Sequence, residues 1–116
     1  MRNFRKYDFW QDSMNLVKLI YQLTNSFPKN DALVNQMQRA VVSIPSNIAE
    51  GSSRVSSIEF ARYLEISIGS AFELETQLEL SYMLKYINDN GYNNLIKDIQ
   101  SIEKRIYILI QKLRTK

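Results

Sequence analysis

The chain has 116 residues, 45% of them hydrophobic, and a formal net charge of +3. That length predicts a single domain over residues 1–116, with enough apolar mass for a core that needs no metal or disulfide staple. Cysteine and histidine are both absent, which excludes thiolate chemistry, disulfides, and the commonest general base and metal ligand.

Taken in chain order, Phe9, Leu16, Ile20, Leu23 and Phe27 recur at helical spacing, beside a second stripe of Trp10, Met14, Val17, Tyr21 and Thr24. They predict a first helix over residues 8–27, ended by Pro28 because the residue before a proline is pushed out of the helical region. Upstream, Arg2, Arg5 and Lys6 mix with Tyr7, Phe9 and Trp10. Such a mixture can stack on and neutralise single-stranded nucleic acid, although a helix start that buries its aromatics is the simpler reading.

Leu33, Met37, Ala40, Ile44 and Ile48 then mark a second helix, capped by Asn30 or Asp31 and running to residue 50. Pro45 interrupts it. A proline inside a helix removes a donor and clashes with the carbonyl four residues back, at a cost of about 3 kcal/mol. The apolar stripe nevertheless continues past it, which predicts a helix kinked at Pro45 rather than ended there. Ser43, Ser46 and Asn47 flank the kink and can bond the disturbed backbone, and Gly51 offers a C-terminal stop.

Ser56 followed three residues later by Glu59 matches a capping box for a third helix, read over residues 57–87. Ala61, Leu64, Ile68, Ala71, Glu75, Leu78 and Tyr82 form its seam, while Phe60, Ile66, Leu74, Leu80 and Leu84 lie off it and are also apolar. A helix apolar on more than one side is buried on more than one side, which predicts subunit contact. Gly69 in mid-helix points to a close approach by another helix. Glu75 on the seam reads as a buried carboxylate paired with Arg39 or Gln77, a structural role rather than an acid or metal ligand.

Residues 88–91, Asn-Asp-Asn-Gly, read as a loop. A fourth helix follows over residues 92–113, with Leu95, Ile99, Ile102, Ile106, Leu109 and Leu113 as its seam. Four such helices with short links predict an all-α, up-down-up-down four-helix bundle.

Charge is unevenly spread. Residues 56–85 hold Glu59, Glu65, Glu73, Glu75 and Glu79 against Arg62 and Lys85, whereas residues 86–116 and the N-terminal segment are basic. Pairing between helices accounts for such a pattern, and so does a basic end for RNA or DNA. On the second reading Arg2, Arg5, Lys6, Arg105, Lys112, Arg114 and Lys116 supply the phosphate contacts. No nucleophile motif, phosphate-cradling glycine loop or metal-ligand cluster occurs, so neither enzyme activity nor a cofactor is expected. No apolar run approaches a membrane span and no signal-peptide pattern follows Met1, so the chain reads as cytoplasmic.

The segment from Gln36 through Val42 and on through Pro45, Ser46, Asn47, Glu50 and Gly51, with Arg54, Glu59-Phe60 and the run from Gly69 to Leu78, carries a resemblance. It resembles the bacterial four-helix-bundle proteins encoded in intervening sequences of 23S ribosomal RNA genes, a family similar to the accessory variability determinants of diversity-generating retroelements. The resemblance implies a homopentameric bundle and, from the retroelement relatives, work alongside a reverse transcriptase and RNA. Gln38 stands where a second arginine is common, and Lys85-Tyr86 where Gly-Tyr is common. Three functions are therefore in view. The first is a non-enzymatic, oligomeric, RNA-associated protein. The second is a module that docks a protein such as a reverse transcriptase without touching nucleic acid, and the third is a small-molecule-binding bundle.

Overall fold

The computed structural model describes residues 2–115. Its helices are α1 (Asp8–Thr24), α2 (Ala32–Ser52), α3 (Ser57–Met83) and α4 (Asp89–Arg114), preceded by a 3-10 turn at Phe4–Lys6. Each helix packs on two neighbours, α1 on α2 and α4, and α3 on α2 and α4, which closes a square up-down-up-down bundle. The central layer holds Leu16, Ile20, Met37, Ile44, Ile48, Phe60, Leu64, Leu74, Leu78, Ile99, Ile102 and Ile106, all fully buried.

Capping chemistry sets the helix ends, and it corrects several sequence boundaries. Asp31 caps α2, its carboxylate accepting from Leu33 N at 2.9 Å, and Ser56 Oγ accepts from Glu59 N at 3.0 Å to cap α3. Asn88 is a cap rather than a loop residue. Its Oδ1 accepts from Gly91 N at 2.7 Å, so Asp89, Asn90 and Gly91 form the first turn of α4. Helix α3 stops at Met83, four residues early, in a left-handed turn: Tyr86 N donates to Ser81 O at 2.8 Å and Lys85 N to Tyr82 O at 3.0 Å. Lys85 holds φ 65° there, the conformation that favours glycine.

Helix α2 runs unbroken through Pro45, which is buried. Ser46 Oγ donates to Val42 O at 2.8 Å and Asn47 Nδ2 to Ser43 O at 2.9 Å. These are the two carbonyls just beyond the one the proline leaves without a partner, so the polar flank reinforces the weakened turn. Gly51 does not stop the helix. It lies in the last turn with its backbone pressed on α3, where an added Cβ would stand 2.5 Å from Tyr63 Cβ and 3.3 Å from Phe60 O. Gly69 is the reverse case: nothing lies within 4 Å of where its Cβ would be, so no helix of the same chain approaches it.

The seams also shift. In α4 the core position after Ile106 is Ile110, with Leu109 and Leu113 only half-buried, because a straight helix drifts away from a strict seven-residue repeat. In α3 the buried face includes Ser67, Gln77 and Ser81, while Ile66, Leu80, Tyr82 and Leu84 are exposed. The second stripe of α1 is largely outside too, with Met14 and Tyr21 exposed.

Two substitutions test these backbone assignments. Lys85→Gly relieves a left-handed non-glycine residue and should raise stability by about 1 kcal/mol, read as a higher urea midpoint at unchanged slope. Gly51→Ala forces α2 away from α3 and should lower stability by about 1–3 kcal/mol in the same measurement.

Candidate nucleic-acid interface

The up-down topology brings the start of α1, the end of α2, the start of α3 and the end of α4 to one pole, together with the 3-10 turn. Hydrogen bonding records this convergence. Arg2 Nη1 donates to Arg54 O, and its guanidinium lies 4.7 Å from the Phe60 ring centre. Arg54 Nη2 reaches Glu50 Oε2 at 3.1 Å and Tyr63 OH at 2.8 Å, over the Tyr63 ring. Arg5 stacks on Phe4, which meets Trp10 edge-on at 5.1 Å, and Tyr7 stacks on Phe9 at 4.9 Å. The aromatics of the N-terminal segment thus serve the fold, and the cations sit on top of them. An open cleft of about 530 Å³ runs between Arg2, Ser52, Ser53, Arg54 and Val55.

The cationic positions differ in how much charge they leave available. Arg105 spans two carboxylates of α1, Asp8 at 3.1 Å and Asp12 at 2.8 Å, and so ties α4 to α1. Arg114 grips Glu65 with two bonds, of 2.8 and 3.0 Å, and this holds the Glu65 carboxyl below its ordinary range. Arg2, Arg5, Lys6 and Lys112 take part in no ion pair among the described residues. Lys116 lies outside the described residues. Arg54 was not among the basic residues singled out from the sequence. Its signal was present in the Gly51-to-Arg54 stretch of the resemblance, where it marks the turn that the N-terminus folds over.

A second polar cluster lies on the outer groove between α3 and α4. Glu75 is half-buried there, not sealed in the core, and neither expected partner reaches it. Arg39 is exposed in the groove between α1 and α2, and Gln77 is buried with its Oε1 unpartnered. Its neighbours are Gln100, whose Nε2 stands 3.5 Å from Glu75 Oε1, and Glu103. Burial foremost, and then the Glu75 carboxylate, push the Glu103 carboxyl up to about 8. The raised value keeps a proton on the Glu103 carboxyl, whose Oε2 is buried without a hydrogen-bond partner among the described residues. Among the described residues no group of three or more acidic side chains is arranged to hold a metal ion.

The sign of the pH dependence follows. Below the ordinary value of 4.5 the Glu103 carboxyl is protonated in both folded and unfolded chains, and between there and about 8 only the folded chain holds the proton. The folded state binds more protons in that window, so its stability falls as pH rises from about 5 to 8. With no histidine in the chain, few other groups titrate there. Thermal melting of Glu103→Gln should show a shallower decline than the parent across this range.

Comparison with known proteins adds family and fold. Residues 5–108 match the family model described as 23S rRNA-intervening sequence protein. Among solved structures the chain is similar to a protein of unknown function from the S23 ribosomal protein family of Bacteroides thetaiotaomicron VPI-5482. The two share 27% identity at a TM-score of 0.80, over 92% of this chain and 99% of that one. A search of curated proteins returns no match.

Proposed function

This chain belongs to the 23S rRNA-intervening sequence protein family, and on that premise we propose that it is a non-enzymatic, oligomeric protein that associates with nucleic acid, RNA in the first instance, through the basic pole. The observation that carries this reading is the meeting of Arg2, Arg5, Lys6 and Lys112 at one end of the bundle, without carboxylate partners among the described residues and with aromatic rings beneath Arg2 and Arg5. Arg105 and Arg114 act here as fold braces, so the phosphate contacts fall to the other four, with Arg54 at the cleft. Lys116 extends the same segment in sequence.

Assembly strengthens such a surface. A ring of copies, five in the number the resemblance implies, presents several weak phosphate sites at once and raises avidity. The cytoplasm is the compartment this reading requires, and no helix among the described residues is long and apolar enough to cross a membrane.

A second reading, a module that docks a protein such as a reverse transcriptase, is favoured by the exposed apolar residues of α3, Ile66, Phe72 and Met83 among them. The two readings separate by pull-down: a protein retained after nuclease treatment, with no RNA retained beforehand, supports docking alone.

Fluorescence anisotropy with a labelled single-stranded RNA across a salt series tests the primary reading. Binding should weaken steeply with salt. Neutralising Arg5, Lys6 and Lys112 together to Gln should flatten the logarithmic slope by about 2, at roughly 0.7 per released single-strand contact. Helical content should stay unchanged, because exposed charges contribute little to stability. Absence of binding at low salt, or binding indifferent to salt, overturns the proposal.

A further inference from the structure

Two different faces of the bundle are left unpartnered, and they complement each other. The first is the outer face of α3. Ile66, Phe72 and Leu80 are 48%, 57% and 42% exposed, spread over about four turns, which is too much apolar surface for a face meant only for water. Gly69 lies between Ile66 and Phe72 with nothing within 4 Å of where its Cβ would be. A mid-helix glycine weakens the helix, and nothing within this chain uses the space it opens. The second face is the groove between α1 and α2, about 410 Å³, where Tyr21 and Val42 are exposed beside Gln38 and Arg39.

Charge says which face meets which. Residues 13–30 and 32–49 contain no carboxylate, and their cations are Lys18, Lys29 and Arg39. Helix α3 carries five glutamates and the single cation Arg62. Lys18, Arg39 and Glu73 take part in no ion pair among the described residues. Either face set against its own copy would oppose like charges, whereas the two set against each other pair opposite ones.

We propose that the outer face of α3 around Gly69, Phe72 and Glu73 seats in the α1/α2 groove of a second copy, beside its Tyr21, Arg39 and Val42, in a head-to-tail contact. Gly69 lets the incoming helix come close, Phe72 fills the groove, and Glu73 meets Arg39. Such a contact is heterologous. Each copy offers one donor face and one acceptor face, so association continues until a ring closes. The inference rests on the oligomeric part of the function proposed above and names the surfaces that build it.

The experiment uses the full chain and two variants, Phe72→Glu on the α3 face and Val42→Glu in the groove, read by sedimentation velocity. Each variant should associate about 30-fold or more weakly than the parent, because a buried unpaired charge opposes the contact. Mixed in equal amounts, they should form a dimer and nothing larger, since the groove of Phe72→Glu and the α3 face of Val42→Glu are both intact. Circular dichroism melts confirm folding. Should either variant melt early, Glu73→Arg and Arg39→Glu, both at exposed positions, replace the pair, and their mixture should associate more tightly than either variant alone, because opposite charges then meet across the contact between unlike copies. A parent that assembles while both variants keep its size, or a mixture that stays monomeric, overturns these surfaces and leaves RNA association standing. A parent that stays monomeric overturns the contact and the oligomer together, and RNA anisotropy then decides separately whether the basic pole binds.

Discussion

The close contact between α2 and α3 is the constraint on which the rest of the molecule depends. Beside the large apolar side chains of the core, it is built from small and hydroxylated ones. Gly51 rests on Tyr63 and Phe60, Ser67 Oγ donates to Ile44 O at 2.9 Å, and Ser43 Oγ meets Ser70 Oγ at 2.8 Å. Buried hydroxyl bonds of this kind act over short range and fixed direction, so they set the register of two helices more sharply than apolar packing does. The Ser67 bond reaches the carbonyl of the residue before Pro45, so the one irregular turn of α2 is held from the neighbouring helix as well as from its own flank. That register places Arg54 over Tyr63, and Arg54 in turn supplies the carbonyl to which Arg2 is fastened.

Much of the fold was legible because its signals are periodic. The apolar spacing of α1, α2, α3 and α4 marks four helices, and Pro45 is legible as internal because the stripe continues on both sides of it. The misread ends share one physical cause. Asn88, Lys85 and Gly51 can each serve as turn, cap or close-contact residues, and which role wins depends on a neighbour that sequence does not display. Buried hydroxyls were passed over for a related reason. Ser13 Oγ donates to Trp10 O at 2.8 Å and Ser81 Oγ to Gln77 O at 2.8 Å, so they satisfy themselves within their own helix and pack as small apolar residues would.

The candidate interface was legible in composition but not in arrangement. Basic residues at both ends of the chain are visible by inspection. That Arg105 would be consumed by Asp8 and Asp12, more than ninety positions away, is a property of the closed bundle. Glu75 stands out in the sequence as a carboxylate on an apolar seam, yet its neighbour is the carboxyl of Glu103. Opposite charge was assumed, and burial with a retained proton is the other way such a group is accommodated.

The seam between α1 and α4 has a kinetic consequence. The other helix contacts join neighbours in the chain and form by closing short links, whereas this one joins the first helix to the last. Its loop-closure entropy is the largest in the fold, so it is the natural final step of folding and the first to open in a local fluctuation. A cleft of about 170 Å³ lies along it, bordered by Asp12, Asn15, Asp98 and Arg105, with Leu16 and Ile102 at its floor. When α1 swings out it carries Arg2, Arg5 and Lys6 away from Arg54 and Lys112. The cationic pole is therefore a property of the closed state alone, and it lasts as long as Leu16 and Ile20 stay seated in the core and Arg105 stays fastened to Asp8 and Asp12.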